Sequence, residues 1–311
     1  MSRTPKQPRP DVYQQVTDRI IQYLEDGIRP WIKPWQAAHV AGHVSRPLRY
    51  NGTPYRGINT VMLWMASMKA GYEIPLWLTY KQAQSLGAQV RKGEKGAPVV
   101  YADTFRKEVT KDTGETETPS PSYRRIPFLK AYTVFNAEQI EGLPTHYNAK
   151  TEPLEPDARL SQVEAFIQQA GATIRHGGDS AYFSPSGDYI QMPPYERFKN
   201  RDGYYNTLTH ELTHWTGHES RLNRSLKNRF GSEAYAMEEL VAELGSAFLC
   251  AELGITAEVR TDHADYLGHW LSVLKADKRA IFTASTQAQS AVDWLLPAAS
   301  SSQPNDEALA A

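Results

Sequence analysis

His210-Glu211-Leu212-Thr213-His214 places three chemically distinct groups within one helical turn. Residues at i and i+4 share a helix face, so the imidazoles of His210 and His214 can reach one metal ion. Glu211 follows the first of them and can reach a water at that ion. Two neutral imidazoles, an open metal position and an adjacent carboxylate are what zinc-assisted hydrolysis of an amide requires. Glu211 would be the base that takes the water's proton and returns it to the leaving amine. A five-residue pattern with three fixed letters also arises by chance, on an ordinary solvated amphipathic helix, so the surrounding sequence has to decide.

Two histidines leave the ligand set one short, because catalytic zinc takes three protein ligands plus water. His218 lies four residues beyond His214, but Gly217 between them interrupts the helix. Six residues after His214 the chain has Ser220 where a metzincin has its third histidine, which excludes that class. The next helical stretch offers Glu238, Glu239 and Glu243. Glu239 and Glu243 stand at i and i+4, so one can ligate while the other accepts the free ring N–H of a ligand histidine. Helix rotation is not fixed by sequence, which leaves Glu238 and Glu243 as alternative ligands. The arrangement resembles the gluzincin class, in which a helix after HExxH supplies the third ligand as Glu. That resemblance implies His210, His214 and Glu239 as ligands and Glu243 as the carboxylate behind a ligand histidine. The implied ion is Zn2+, with Mn2+ or another divalent ion as the alternative. Tyr235 and His218 are candidates to steady an oxyanion, or are simply packed side chains.

These residues need elements to hold them. The motif helix is expected from about Gly203 to Trp215, ended by Gly217, and a long apolar helix over Glu233 to Leu253, with one or two more up to Leu296. Before them come an amphipathic helix over Ala158 to Ala170 and short strands around Ala172–Arg175, Ala181–Ser184 and Asp188–Met192. The last of these, ended by Pro193-Pro194, is the expected edge strand on which a peptide would add to the sheet. In the first half, helices are expected after Asp11, over Asn59 to Lys69 and after Thr79. Strands are expected over Pro98 to Phe105 and Phe128 to Phe135, with a polar loop from Lys111 to Ser122 between them. The fold class is α+β in two domains: residues 11–145, a proline-rich linker at 146–157, and 158–296. A basic arm (1–10) and a polar tail (297–311) are expected to be disordered.

A chain of 311 residues, 41% hydrophobic with seven Trp, is sufficient for two cores. No run approaches the eighteen or so apolar residues that cross a bilayer, and a single cysteine, Cys250, excludes an internal disulfide framework. A soluble, cytoplasmic protein without membrane partners is expected. The net charge of −1 hides an asymmetry. Residues 1–150 carry 21 Lys and Arg against 13 Asp and Glu, while the remainder carries 13 against 22. A basic half points to a polyanion.

That half also interleaves rings with cations. Trp31, Trp35, Tyr50 and Tyr55 with Arg46, Arg49 and Arg56 make a candidate platform on which the bases of single-stranded DNA stack while cations track the phosphates. Arg91, Lys92 and Lys95 can add phosphate contacts through a glycine-framed turn. That turn is no P-loop, since no Walker Lys-Ser/Thr follows it. The bland alternative is that the rings fill a core and the cations are solvated.

Several motifs together are similar to the ArdC family of plasmid antirestriction proteins, which is related to parts of TraC-type conjugative primases. They are Trp31-Ile32-Lys33-Pro34-Trp35, Tyr55-Arg56-Gly57-Ile58-Asn59, Trp77-Leu78-Thr79-Tyr80-Lys81-Gln82-Ala83, Arg91-Lys92-Gly93-Glu94-Lys95-Gly96, His210 to His218 and Glu238 to Leu244. The resemblance runs from about Asp11 to Leu296. It implies a single-stranded-DNA-binding domain joined to a zincin-like metallopeptidase domain, a role in protecting conjugated DNA from host restriction, and a protein of the restriction machinery as a possible substrate. The alternatives are a DNA coat with a structural metal, and a primase-associated module.

Overall fold

The computed structural model describes residues 11–32, 45–109, 122–148, 156–226, 231–257 and 266–296. The expected basic arm, polar loop, C-terminal tail and most of the linker fall outside these residues, as does Trp35.

In the first half, the side chain of Asp11 accepts from the Tyr13 amide and starts α1 (Val12–Glu25), whose Val16, Ile20 and Leu24 are buried. A short strand β1 (Leu48–Arg49) precedes α2 (Ile58–Ala70), which stops at Gly71 in the left-handed conformation, φ 74°. β2 (Leu76–Leu78) leads into Thr79, which forms a reciprocal capping box with Gln82 at the start of α3 (Tyr80–Ser85). Then come β3 (Gln89–Val90), β4 (Ala97–Val109), β5 (Ser122–Asn136) and β6 (Ile140–Glu141). β4 and β5 contain the two strands expected here and run further, pairing antiparallel with Asp103 opposite Phe128 in a sheet ordered β1-β2-β5-β4. The Asn59 side chain bonds both the carbonyl (2.7 Å) and the amide (2.8 Å) of Val100, which pins α2 to this sheet. β1, β2, β3 and β6 have two or three residues each, too few to show a period in sequence.

The second half comprises α4 (Pro156–Ala170), β7 (Thr173–His176), β8 (Tyr182–Ser184), β9 (Tyr189–Met192), α5 (Arg201–Thr216), α6 (Glu233–Leu253), α7 (Tyr266–Ala276) and α8 (Ala280–Leu295). The small sheet is ordered β7-β9-β8, β9 being parallel to β7 and antiparallel to β8. This corrects the expectation that Asp188–Met192 is an edge. Both sides of β9 are already hydrogen-bonded, and β8 is the edge that lies beside α5.

The architecture is two-domain α+β, and the domains share one hydrophobic core. Val16, Ile20, Trp31, Val61 and Trp64 from the first half are in the same cluster as Leu212, Leu240, Phe248, Trp270 and Ile281. Buried Arg46 clamps this seam. Its guanidinium donates to the Tyr55 carbonyl (2.7 Å) and to Gln289 Oε1 (2.9 Å), and lies over the Phe248 ring at 5.0 Å. Among the described residues, no helix is long and apolar enough to cross a membrane.

Candidate metal centre

α5 begins at Asn200, whose side chain accepts from the Gly203 amide, and ends at Gly217. Its last two turns carry His210 and His214 side by side. α6 packs across it, started by Ser232 and stopped by Gly254, φ 67°. The two helices come unusually close, because a Cβ on Gly245 would lie 2.5 Å from Thr213 Cγ2. Thr209, on the same helix as the histidines, bonds Ser246 Oγ at 2.8 Å across this contact. This close approach delivers the α6 carboxylates to the imidazoles.

Glu239 faces both rings, with one oxygen 3.5 Å from His210 Nε2 and the other 3.5 Å from His214 Nε2. The two Nε2 atoms are 3.2 Å apart. Ligand bonds of about 2.0–2.1 Å put the vertices of a tetrahedron roughly 3.3 Å apart, so this triangle has the size a small divalent ion requires. His210, His214 and Glu239 are also the one group of metal-type donors found within ligating distance of one another among the described residues. The donor set fits Zn2+ and tolerates Mn2+.

Behind the triangle each imidazole meets a second carboxylate. His214 Nδ1 is 3.1 Å from Glu238 Oε1, and Arg224 grips Glu238 through Nε (3.0 Å) and Nη2 (2.9 Å). Arg224 is held in turn by the Thr213 carbonyl (2.6 Å) and Thr216 Oγ1 (2.9 Å). His210 Nδ1 lies 3.8 Å from Glu243 Oε1. Thus Glu238, an alternative ligand on sequence grounds, faces the outer nitrogen of His214, and Glu243 faces that of His210. The Arg224 contact had no sequence signal, since this arginine lies on an irregular segment ten residues past His214. Glu211 is buried at 3% exposure, next to His210 on α5. His218 bonds Ser220 Oγ (2.8 Å) and is not among the converging donors. The Tyr235 hydroxyl bonds that of Tyr266 (3.1 Å); burial first, then Tyr266 and Glu239, raise its pKa.

The charges are strongly coupled. Burial alone would lower the His214 pKa, but hydrogen bonds and charge from Glu238 and Glu239 prevail and raise it to about 10. Burial would raise Glu239, and His210 and His214 instead hold it well below the usual carboxylate range. Glu238 is lowered in the same way by His214 and Arg224. In the metal-free protein the raised His214 pKa stabilises the fold fully below the ordinary 6.5, a contribution lost as pH rises through about 10. An ion that takes the imidazole must displace this proton. Divalent-metal affinity is therefore expected to climb with pH, roughly tenfold per unit for one proton, and to level off above about 10. Calorimetric titration with Mn2+ across neutral and mildly alkaline pH measures this, and a flat profile contradicts it.

The expected DNA platform is rearranged. Trp31, Arg46 and Tyr55 are 2%, 4% and 3% exposed, which corrects their assignment, since no base can stack on a ring or reach a guanidinium enclosed by protein. Arg46 clamps the domain seam, Tyr55 lies under Arg49 at 5.3 Å, and the Trp31 Nε1 donates to Glu243 Oε2 at 3.4 Å. Arg49 and Tyr50 are half-buried. Arg56 is exposed and pairs with Asp293. Arg91 pairs with Glu94 at 2.7 Å, and Lys92 and Lys95 are exposed beside it on a turn through Gly93, φ 91°.

Comparison with known proteins finds matches along both halves of the chain. Residues 10–135 match the N-terminal domain of the anti-restriction factor ArdC, and residues 161–287 match a zincin-like metallopeptidase domain. An uncharacterized Sinorhizobium fredii protein, y4eC, is 42% identical over 98% of this chain and 97% of its own length. An Escherichia coli DNA primase TraC is 41% identical over 91% of the chain, which spans only 27% of that primase. The crystal structure of metal-free ArdC from plasmid R388 superposes with TM-score 0.77 at 47% identity, covering 92% of this chain and 97% of ArdC. The Mn(II)-bound form superposes with TM-score 0.74 at 45% identity, covering 94% and 100%. With both domains matched in order and nearly the whole length shared, this chain belongs to the ArdC antirestriction family.

Proposed function

We propose that this protein binds single-stranded DNA through its basic domain and hydrolyses a peptide bond at a zinc centre in its zincin-like domain, protecting incoming plasmid DNA from restriction. The observation that carries the reading is the His210–His214–Glu239 triangle with Glu211 beside it on the same helix. The ion, once held by these three residues, supplies Lewis acidity toward the scissile carbonyl and the attacking water. The chain's own residues do the rest. Glu211 takes the proton of the water and passes it to the departing amine. Glu238 and Glu243 keep the histidines oriented with their Nε2 atoms inward. β8, the open edge beside α5, is the strand to which an extended peptide adds. A protein of the restriction machinery is the proposed substrate, and the cytoplasm, where restriction acts, the proposed location.

For DNA, the proposal rests on the exposed cations Arg56, Arg91, Lys92 and Lys95, with the half-buried Arg49 and Tyr50 and the exposed ring of Tyr80 beside them. Tyr50 packs on the same small cluster as β3 and α3, so it shares a lobe with Tyr80 and the Arg91–Lys95 turn. Changing Lys92 and Lys95 together to Ala is expected to weaken single-strand binding. The plot of log affinity against log salt should flatten by about 1.4 for two lost phosphate contacts. Fluorescence anisotropy with a labelled oligonucleotide reads both; an unchanged slope removes this turn from the interface, and a wild-type slope near zero removes the polyanion argument.

A further inference from the structure

Trp31 belongs to the N-terminal ArdC domain, yet its ring is enclosed against the metal centre. Trp270 meets it edge to face at 5.9 Å, and Arg29 lies over the Trp270 ring at 5.4 Å. Ile32, the next residue, lines a small cavity together with His210, Glu243, Asn206 and Ser246. The N-terminal segment thus forms part of the wall around the inner side of the ligand His210. The polar contacts run from indole to carboxylate to imidazole, the second at ion-pair rather than hydrogen-bond distance. Trp31 Nε1 donates to Glu243 Oε2 at 3.4 Å, while the other oxygen of Glu243 lies 3.8 Å from His210 Nδ1. A carboxylate only 6% exposed depends on donors to hold its orientation. An imidazole depends on the partner of its outer nitrogen to fix which nitrogen faces the ion.

We propose that Trp31 is a positioning residue for the metal centre, contributed by the N-terminal domain: its indole N–H orients Glu243, which orients His210. The zincin-like domain then holds its ion at full affinity only with residues 29–32 docked against α6. The inference rests on the metal-centre reading above and adds that the shell of that centre spans both domains. It also gives the shared core a consequence, because whatever moves the N-terminal segment changes metal affinity.

The test is calorimetric titration of the full-length chain with Mn2+ at fixed pH. Trp31→Phe keeps an aromatic ring at the position but removes the indole donor together with the pyrrole half, and is expected to weaken Mn2+ binding by about tenfold, the low end for changes behind the ligands. Glu243→Gln should weaken it at least as much, and the double variant should be no worse than Glu243→Gln alone, because Trp31 acts through Glu243. Trp270→Phe makes a comparable change in the neighbouring ring without touching Glu243, and should leave affinity within about twofold. Wild-type affinity in folded Trp31→Phe overturns the proposal, as does an equal loss in Trp270→Phe, which marks a packing effect. If Trp31→Phe does not fold, Glu243→Gln decides alone, and wild-type affinity there overturns the link. Failure of the underlying metal reading looks different: wild type itself takes up no ion, or binds it equally well with Glu239 replaced by Ala.

Discussion

Glu239→Ala is expected to remove stoichiometric divalent-metal binding, with an affinity loss well beyond the roughly 10–100-fold that outer-shell changes cost. The reason is geometric. Glu239 is the residue whose carboxylate spans both imidazoles, at 3.5 Å to each Nε2, and a two-histidine site lacks the third protein donor that zinc centres use. Glu238→Ala should fall within the 10–100-fold range, since Glu238 meets only the outer nitrogen of His214. The ordering of the two variants is the informative result. Metal analysis after gel filtration, with calorimetry, reads it. Equal losses, or a larger loss at Glu238, would mean that Glu238 is the ligand.

Glu211→Gln should leave metal content and single-strand affinity at wild-type levels and remove hydrolysis. Loss of a general base costs about 10²–10⁴ in rate, or about 3–5 kcal/mol of barrier. The amide has nearly the shape of the carboxylate, so α5 is not perturbed, but it cannot accept the proton. Conjugative transfer into a restricting recipient, with the recipient's restriction proteins followed by mass spectrometry, provides the readout. The variant should lose both protection and any cleavage of those proteins. Undiminished protection by a metal-loaded Glu211→Gln protein would show that coating the DNA suffices.

What sequence showed and what it hid divide along a physical line. α5 and α6 are legible in sequence because their signals are local: Gly217 as a stop, histidines at i and i+4, and a long apolar run after Glu233, although the Asn200 cap starts α5 ahead of the expected Gly203. Spacing left Glu238, Glu239 and Glu243 open, and only the gluzincin resemblance pointed to Glu239, because the rotation that sends Glu238 to the outer nitrogen of His214 depends on packing against α5. That packing depends on Gly245 meeting Thr213, a contact that no single helix reveals. The place of Trp31 is hidden in sequence for a related reason. Among prolines and cations a tryptophan suggests an exposed stacking surface, whereas its partner Glu243 is 212 residues away. Arg46 likewise looked like a phosphate contact and is a clamp on Gln289, across the domain seam. The place of β9 at the centre of its sheet was hidden because its parallel partner β7 is separated from it by a strand that comes earlier in the chain. Local periodicity therefore pointed to the histidine pair, and only the tertiary fold shows which rings and cations of the first half are enclosed and which are exposed.

The most direct test of the central claim is anomalous diffraction from crystals of the full-length protein grown with Zn2+, collected on both sides of the zinc edge. A single strong peak is predicted between His210 Nε2, His214 Nε2 and the Glu239 carboxylate, at about 2.0–2.2 Å from each ligand atom. No peak there, or an ion held instead through Glu238 or His218, would contradict the account.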